Sequence, residues 1–410
     1  MYLECRPLML EEFRNIPVEA KYLIFASFLP AVAFGTFYVD LSYFLTTIQG
    51  LSDIFMGSVI MIMGISMVVT SIPLGILADR YGRKKFLILG NVLASLTIAV
   101  FALTTDTNIL ILGAIVEGVS ESAFTASFGA LMSEKAGDLK RTSAFSLLAF
   151  VNNIGFSLGT FIIPFVYLLE VFGLDSREAH VLFFVILALL SFSATFILIK
   201  VREKRNYKAV EKRSWLPRKS FNILLKYTLT GAILAFGAGL FVPLMARWFY
   251  LKYGITDAYS GPILGISNLF MGFTNLTVPA LARRMGVVNA IVVTQSASTI
   301  FMFSIPLSPT YIVASIVYII RTFLMNMANP LQQSLIMGLV AEDERGAASG
   351  ISSSLWRLPN SISATFGAML MGKGYLNEPF YAATILYIVS ISLFWILFRR
   401  IKLPEEMVRI

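Results

Sequence analysis

The sequence predicts an all-α polytopic membrane protein, with twelve transmembrane helices in two pseudo-symmetric six-helix bundles. Three observations predict this fold. The chain has few charged residues, it contains twelve apolar runs long enough to cross a bilayer, and one constant offset of 204 residues relates its two halves. Together they place most of the exterior of the protein in lipid.

The composition excludes an ordinary soluble protein. Of the 410 residues, 57% are hydrophobic and 14% are charged, whereas a soluble globular chain carries about 25% charged residues. Cys5 and His180 are the single cysteine and the single histidine. A zinc or haem site of the usual kind is therefore not expected, and neither a metal nor another cofactor is predicted. His180 is predicted to lie in water at the outer start of the sixth span.

The twelve apolar runs have the length of membrane helices, because a transmembrane helix needs about 20 mostly apolar residues. The predicted spans are 22–47, 53–77, 86–105, 109–133, 142–169, 179–200, 222–250, 257–281, 287–307, 310–340, 347–371 and 379–399.

Lysine and arginine predict the orientation and the domain organisation. They cluster in the termini and after the even-numbered spans, most densely between spans 6 and 7, and short basic loops stay in the cytoplasm. We therefore expect both termini to be cytoplasmic in a multi-pass protein of the cell membrane (the inner or plasma membrane). The predicted division is a cytoplasmic segment 1–21, a six-helix bundle 22–200, a cytoplasmic linker 201–221, a second bundle 222–400 and a cytoplasmic tail 401–410.

The two bundles are related by an offset of 204 residues. This offset aligns Asp79 at the end of span 2 with Arg283 at the end of span 8, and each is followed by arginine and, three residues on, by glycine. It also aligns Glu117 with Arg321. One offset that serves separate places indicates duplication of a six-helix unit, as is common in transporter folds.

A motif after span 2 carries a family resemblance. The run Gly-Ile-Leu-Ala-Asp-Arg-Tyr-Gly-Arg-Lys-Lys at 75–85 resembles the signature of the major facilitator superfamily, in its usual place. The resemblance implies a secondary transporter that works by alternating access. Within the superfamily the chain is closest to the drug–proton antiporter branch, although its fifth span has Gly155 and Gly159 without the Gly-Pro pair of that branch.

The resemblance also implies a conformational latch at this motif. The acid Asp79 would meet the start of helix 11, and Arg83 would pair with an acid at the end of helix 4, for which Glu134 is the candidate. The glycines allow close helix approach and a tight turn. The predicted latch residues are Gly75, Asp79, Arg80, Gly82, Arg83, Lys84 and Glu134.

Ionisable side chains inside the spans are candidate functional residues, because a charge in the membrane is costly. In the superfamily helices 1, 4, 7 and 10 line the central cavity. Glu117 and Glu121 are one helical turn apart, so their carboxylates repel and the pKa of at least one of them is expected to be raised. The candidate residues for substrate binding and proton coupling are Asp40, Glu117, Glu121, Asn152, Arg321 and Arg357.

Two interpretations of Glu117 and Arg321 stay open at this point. The two side chains lie at comparable depth, so they could form a static pair that fixes the packing, or they could take part in the mechanism.

The sequence thus predicts a monomeric, non-enzymatic carrier that exports small amphipathic organic compounds in exchange for protons, with no nucleic-acid partner. One alternative is uptake or exchange of an organic anion held by the intramembrane arginines. Another is a substrate sensor with a transporter fold. A membrane-embedded enzyme is disfavoured because one histidine and one cysteine cannot supply the usual catalytic sets.

Overall fold

The computed structural model describes residues 16–203, 219–340 and 345–401, and within these ranges Asp79 and stretches such as 137–143, 271–283 and 345–355 by their backbone alone. The described residues form helices joined by short turns, with no β-strand among them. The helices are α1 Val18–Ala26, α2 Phe28–Tyr43, α3 Asp53–Tyr81, α4 Arg83–Leu103, α5 Thr107–Phe161, α6 Phe165–Val171, α7 Ser176–Lys200, α8 Phe221–Gly239, α9 Met245–Tyr253, α10 Asp257–Met285, α11 Val287–Ser304, α12 Tyr311–Leu339, α13 Arg345–Gly372 and α14 Glu378–Phe398.

These helices confirm the predicted fold class. Ten stretches among the described residues are long and apolar enough to cross a membrane. The predicted spans 8 and 11 correspond to α10 and α13, which are helical throughout although part of their side chains lie outside the described residues. The N-terminal segment up to residue 15, the linker residues 204–218 and the tail from 402 also lie outside the described residues.

Short irregular turns interrupt the long spans. Span 1 is interrupted at Ser27, between α1 and α2, and ends in a π-helical turn at Phe44–Ile48. Span 7 has a 3₁₀ turn at Val242–Leu244, where Pro243 cannot donate a helical hydrogen bond. The connection between spans 4 and 5, predicted as a loop, is instead helical within α5. This connection has no proline, and its Glu, Lys, Ala, Leu and Arg residues are good helix formers, which outweighs the lower propensity of Gly137 and Asp138.

The chain divides into two compact units. Met1–Phe44 with Ile62–Lys208 form the first unit, and Leu45–Met61 with Ala209–Ile410 form the second. The second unit therefore contains the first residues of α3 in addition to the second half of the chain. The predicted bounds of the two bundles and of the linker stay a prediction.

Close helix crossings in each unit follow the same 204-residue offset. In the first unit, a Cβ at Gly35 would lie 2.4 Å from the carbonyl oxygen of Phe156. In the second unit, the equivalent positions are Gly239 and Asn360, and there the distance would be 2.0 Å. Small residues let the helix backbones touch, which is how helices associate in membranes. The internal repeat seen in the sequence is thus also a repeat of packing.

Buried polar side chains join helices within the first unit. The Asn91 side chain on α4 donates to the Ser191 carbonyl at 3.1 Å and to the Thr195 hydroxyl at 3.0 Å, both on α7. The Thr36 hydroxyl on α2 donates to the Gly159 carbonyl on α5 at 2.6 Å. Such bonds contribute about 0.6 kcal/mol each in membrane proteins, so they orient the helices more than they stabilise them.

Candidate functional site

The motif loop after α3 is fixed to the end of α7. Gly82 has a φ of 113°, which favours glycine, and a Cβ there would lie 3.1 Å from Glu203 Oε2. The Glu203 carboxylate accepts from the backbone N–H of Arg83 at 2.8 Å and of Lys84 at 3.3 Å. It therefore caps the positive N-terminus of α4.

Lys84 makes the complementary contact. Its Nζ donates to the carbonyl oxygen of Ile199, in the last turn of α7, at 2.6 Å. A cation near the C-terminus of a helix is favourable for the same reason that an anion is favourable at the N-terminus. The Glu203 carboxylate thus meets the positive start of α4, and the Lys84 ammonium group meets the negative end of α7. Lys84 therefore joins the two helices in addition to its place in the basic loop.

A charge cluster surrounds the predicted partner of Arg83. Arg83 Nη1 lies 3.9 Å from Glu134 Oε2, and the other Glu134 oxygen lies 3.3 Å from Lys135 Nζ. Lys135, nearly buried, also lies 3.0 Å from Glu19 on α1. The cluster joins α1, α4 and α5 inside the first unit.

The remaining latch residues are less constrained by what the structure describes. Arg80 is exposed, with its guanidinium 5.5 Å from the ring centroid of Tyr81. Gly75 faces the methyl group of Ala126, which a Cβ would meet at 3.9 Å. The side chain of Asp79 lies outside the described residues. The role of these residues as a conformational latch stays a prediction.

Glu117 and Glu121 occupy different environments although they are one turn apart on α5. Glu117 is 2% exposed, and its carboxylate accepts a hydrogen bond from the Thr97 hydroxyl on α4. The Ser120 hydroxyl lies 3.4 Å from the same carboxylate and donates to the Glu117 backbone carbonyl at 2.7 Å. Glu121 is only partly buried. Glu117 is thus held by hydroxyl groups inside the first unit, whereas Glu121 is the carboxylate of the two with more access to a moving ligand.

Asp40 and His180 form a buried pair in the first unit. Both side chains have no exposed surface, and a carboxylate oxygen of Asp40 lies within 4.8 Å of a ring nitrogen of His180. His180 lies inside α7, with its ring stacked 6.0 Å from that of Phe44. The prediction of a solvated histidine is therefore wrong, because α7 begins at Ser176, four residues before His180, and the ring packs against Phe44 inside the first unit.

The hydrogen bonding of His180 defines its tautomer. Nδ1 lies 2.6 Å from the carbonyl oxygen of Ser176, and since a carbonyl only accepts, Nδ1 carries a proton. Nε2 is then the ring nitrogen that can gain or lose a proton. Asp40 and His180 are thus two ionisable side chains that lie together in a region shielded from water, and a role of Asp40 in proton coupling stays a prediction.

Asn152 connects the break in span 1 to α5. Its Oδ1 lies 2.7 Å from the hydroxyl of Ser27, the residue between α1 and α2. The same hydroxyl lies 2.7 Å from the Ile24 carbonyl. This contact gives Asn152 a structural role, and a role toward substrate stays a prediction.

Arg321 lies in an aromatic site of the second unit. It is 4% exposed, with its guanidinium carbon 5.0 Å from the ring centroid of Phe241 and 5.6 Å from that of Tyr387. Nη2 donates to the Tyr387 hydroxyl at 2.6 Å, and Nε has no hydrogen-bond partner among the described residues. Cation–π contacts offset part of the cost of burying this charge.

Arg357 on α13 is only partly buried.

Comparison with known proteins identifies the family. A family model described as Major Facilitator Superfamily matches residues 23–364. The chain belongs to the Major Facilitator Superfamily. Members of this superfamily carry small molecules across membranes, so the protein is a multi-pass membrane transporter.

Curated relatives in the superfamily are distant but cover most of the chain. Multidrug resistance protein 2 of Bacillus subtilis is 23% identical over 84% of this chain and 87% of its own length. Multidrug resistance protein 1 of the same organism is 23% identical over the same shares. The expected relation to the drug-antiporter branch of the superfamily is therefore supported by these names.

Solved structures of transporters share the fold. A bacterial homologue of the human lysosomal transporter Spinster, in an inward-facing and occupied conformation, has a TM-score of 0.76 over 93% of this chain and 96% of its own, at 15% identity. A D-xylose-proton symporter has a TM-score of 0.72 over 91% and 97%, also at 15% identity. At such identities these structures establish the superfamily fold and nothing further.

The sequence alone did not point to three side chains that the structure shows to be engaged. His180 was unremarkable because its burial depends on packing, and Glu203 lies just beyond a span in a charged stretch. Asp53 is the first residue of α3, where an acid is ordinary, yet it binds Arg247. An acid directly at the end of an apolar span was the one signal available for Glu203 and Asp53.

Proposed function

We propose that the protein exports small amphipathic organic compounds by alternating access, each transport cycle being coupled to proton entry. The observation that carries the proposal is the similarity, over 84% of the chain, to two proteins named multidrug resistance proteins. The proposal places a monomer in the cell membrane with both termini in the cytoplasm, in line with the distribution of basic residues.

Three carboxylates on the cavity-lining spans support proton coupling. Asp40 is fully buried beside His180, so proton uptake or release at this carboxylate would require the local structure to open. Glu121, partly buried, is suited to meet a cationic compound or a proton. Glu117 is already held by hydroxyls and is the least mobile of the three.

The proposal is tested with purified protein in liposomes that contain a trapped pH-sensitive dye. Cationic, neutral and anionic amphipathic compounds are added in turn at fixed membrane potential. We expect proton flux that starts on addition of a cationic or neutral compound and saturates with its concentration. Compound movement without proton flux would contradict the coupling, and absence of any turnover would favour a sensor.

Arg321 supports organic-anion transport as a second candidate function. Its buried guanidinium has no carboxylate partner among the described residues of the second unit, and its Nε–H group donates to none of the described residues. A buried charge without a counterion is costly. A substrate carboxylate or phosphate could supply the missing negative charge.

Arg321→Met distinguishes the two candidates. Methionine removes the buried charge, but its side chain is shorter than that of arginine and leaves the buried Tyr387 hydroxyl without its partner, so we expect the thermal unfolding temperature in detergent to fall modestly. If the second candidate is correct, transport of anionic compounds falls at least about tenfold, which corresponds to about 1.4 kcal/mol of lost binding. Tyr387→Phe, which removes only the hydroxyl bonded to Arg321, serves as the control. Unchanged transport of every anionic compound would contradict the second candidate.

A further inference from the structure

The second unit contains a polar contact that holds the first residues of α3. Arg247 on α9 binds the Asp53 carboxylate in a bidentate manner, with Nε 2.8 Å from Oδ1 and Nη2 3.1 Å from Oδ2. Arg247 Nη1 also donates to the Thr47 hydroxyl at 3.0 Å. Two parallel charge-assisted bonds form the strongest arrangement available to such a pair.

The helix that carries Arg247 is rigidly anchored. Trp248 is fully buried, and its indole N–H donates to the Leu376 carbonyl at 2.9 Å. Lys252 Nζ donates to Asn377 Oδ1 at 3.0 Å, and the Tyr253 hydroxyl donates to the Ser308 carbonyl at 2.8 Å. The helix α9, which carries Arg247, is therefore hydrogen-bonded to the turns before α12 and α14.

A second row of contacts, one turn further along α3, accompanies the ion pair. The Thr365 hydroxyl on α13 donates to the Gly57 carbonyl at 2.9 Å. A Cβ at Gly57 would lie 2.7 Å from the Thr365 Cα, and a Cβ at Gly372 would lie 3.0 Å from the Asp53 Cβ. The two glycines thus let α3 and α13 approach until the ion pair can form.

We infer that the Arg247–Asp53 pair, with Thr47, is an outer lock that keeps the segment Leu45–Met61 on the second unit. The α3 helix continues into Ile62–Lys208 of the first unit, so under this inference opening of the predicted outer side requires the segment to release these contacts. The inference goes beyond the proposed function, because it concerns the conformational equilibrium and holds for any cargo.

The energetics of the pair suit a contact that forms and breaks in each cycle. The Arg247 and Asp53 side chains are each 13% exposed. Water can therefore reach both groups as they separate, which avoids the penalty of stranding a charge in a dry interior. The remaining burial keeps the closed pair stronger than a fully solvated one.

The test measures opening without any substrate. In the full-length chain with Cys5→Ser, a reporter cysteine is introduced as Thr365→Cys, which weakens the hydrogen bond to the Gly57 carbonyl equally in every variant. This double variant is the parent for all comparisons, and a membrane-impermeant maleimide is added to right-side-out vesicles. We expect Asp53→Asn and Arg247→Gln each to accelerate labelling by about tenfold, the change produced by about 1.4 kcal/mol. Thr47→Val, which removes one hydrogen bond, is expected to accelerate it less.

The charge exchange and a matched control make the test decisive. Asp53→Arg combined with Arg247→Asp is expected to return labelling to within about threefold of the parent, since the pair is restored in reverse. Asp106→Asn is the control, because Asp106 is also an acid at the start of a helix but accepts only backbone N–H groups, which asparagine does equally well. Unchanged labelling in both single variants would overturn the inference, as would equal acceleration by Asp106→Asn.

Discussion

Asp40→Asn is expected to abolish compound-triggered proton flux in liposomes, lowering it by at least about a hundredfold, the scale of losing a proton-transfer group. Asparagine has nearly the shape of aspartate but cannot bind and release a proton. Because Asp40 is fully buried beside His180, no water replaces the missing carboxylate. The measurement is the initial rate of pH change after compound addition.

Exchange of labelled compound in the absence of a proton gradient separates coupling from folding. We expect Asp40→Asn to retain this exchange, and Asp40→Glu to recover part of the proton flux because it restores a carboxyl group. Asp106→Asn, an exposed acid at a helix start, should behave as the parent protein. Normal proton flux in Asp40→Asn would exclude Asp40 as a coupling residue and direct the search to Glu121→Gln.

Gly239→Ala is expected to destabilise the second unit by about 3 kcal/mol or more, the upper range for overpacking. The added methyl group would lie 2.0 Å from the Asn360 carbonyl oxygen and 2.1 Å from the Ser363 hydroxyl. The carbonyl belongs to the backbone of α13, so relief requires α8 and α13 to move apart. Thermal unfolding of the detergent-solubilised protein measures the effect.

Gly231→Ala on the same helix provides the matched control. No atom lies within 4 Å of a Cβ at Gly231, and alanine is the better helix former. We expect the unfolding temperature of Gly231→Ala to equal or exceed that of the parent. Equal unfolding temperatures for the two variants would show that the α8–α13 crossing is not close-packed. The equivalent position in the first unit, Gly35, should respond like Gly239.

Much of the fold could be predicted because lipid imposes a simple rule on sequence. Every backbone polar group must be satisfied within the membrane, so long apolar runs become helices. The interruptions could not be predicted in the same way. Pro30 marks the interruption of span 1, because it cannot donate to the carbonyl of Ala26, where α1 ends. The contact of the Ser27 hydroxyl with Asn152 on another helix could not be predicted.

The candidate site was predicted as a set of residues rather than as an arrangement. Intramembrane charges are rare enough to be found by inspection, and Asp40, Glu117 and Arg321 are all buried as their positions suggest. The hydrogen-bond partners of these charged side chains could not be predicted from the sequence. Thr97 lies on the helix directly before that of Glu117, and Tyr387 lies two helices after Arg321, but a threonine or tyrosine within an apolar span carries no signal of its own.

By itself the sequence determined that this protein is a twelve-span transporter of the Major Facilitator Superfamily. Hydropathy, the duplication and the motif at 75–85 can all be recognised along the chain without knowing which helices pack together. Only the tertiary structure decided that His180 is buried beside Asp40, that Glu203 caps α4 and that Arg247 holds Asp53. The physical reason is that a side chain's burial and its polar partner are set by helices that approach from elsewhere in the chain. Their contact depends on small residues such as Gly57 and Gly372, whose role is visible only once the helices are packed.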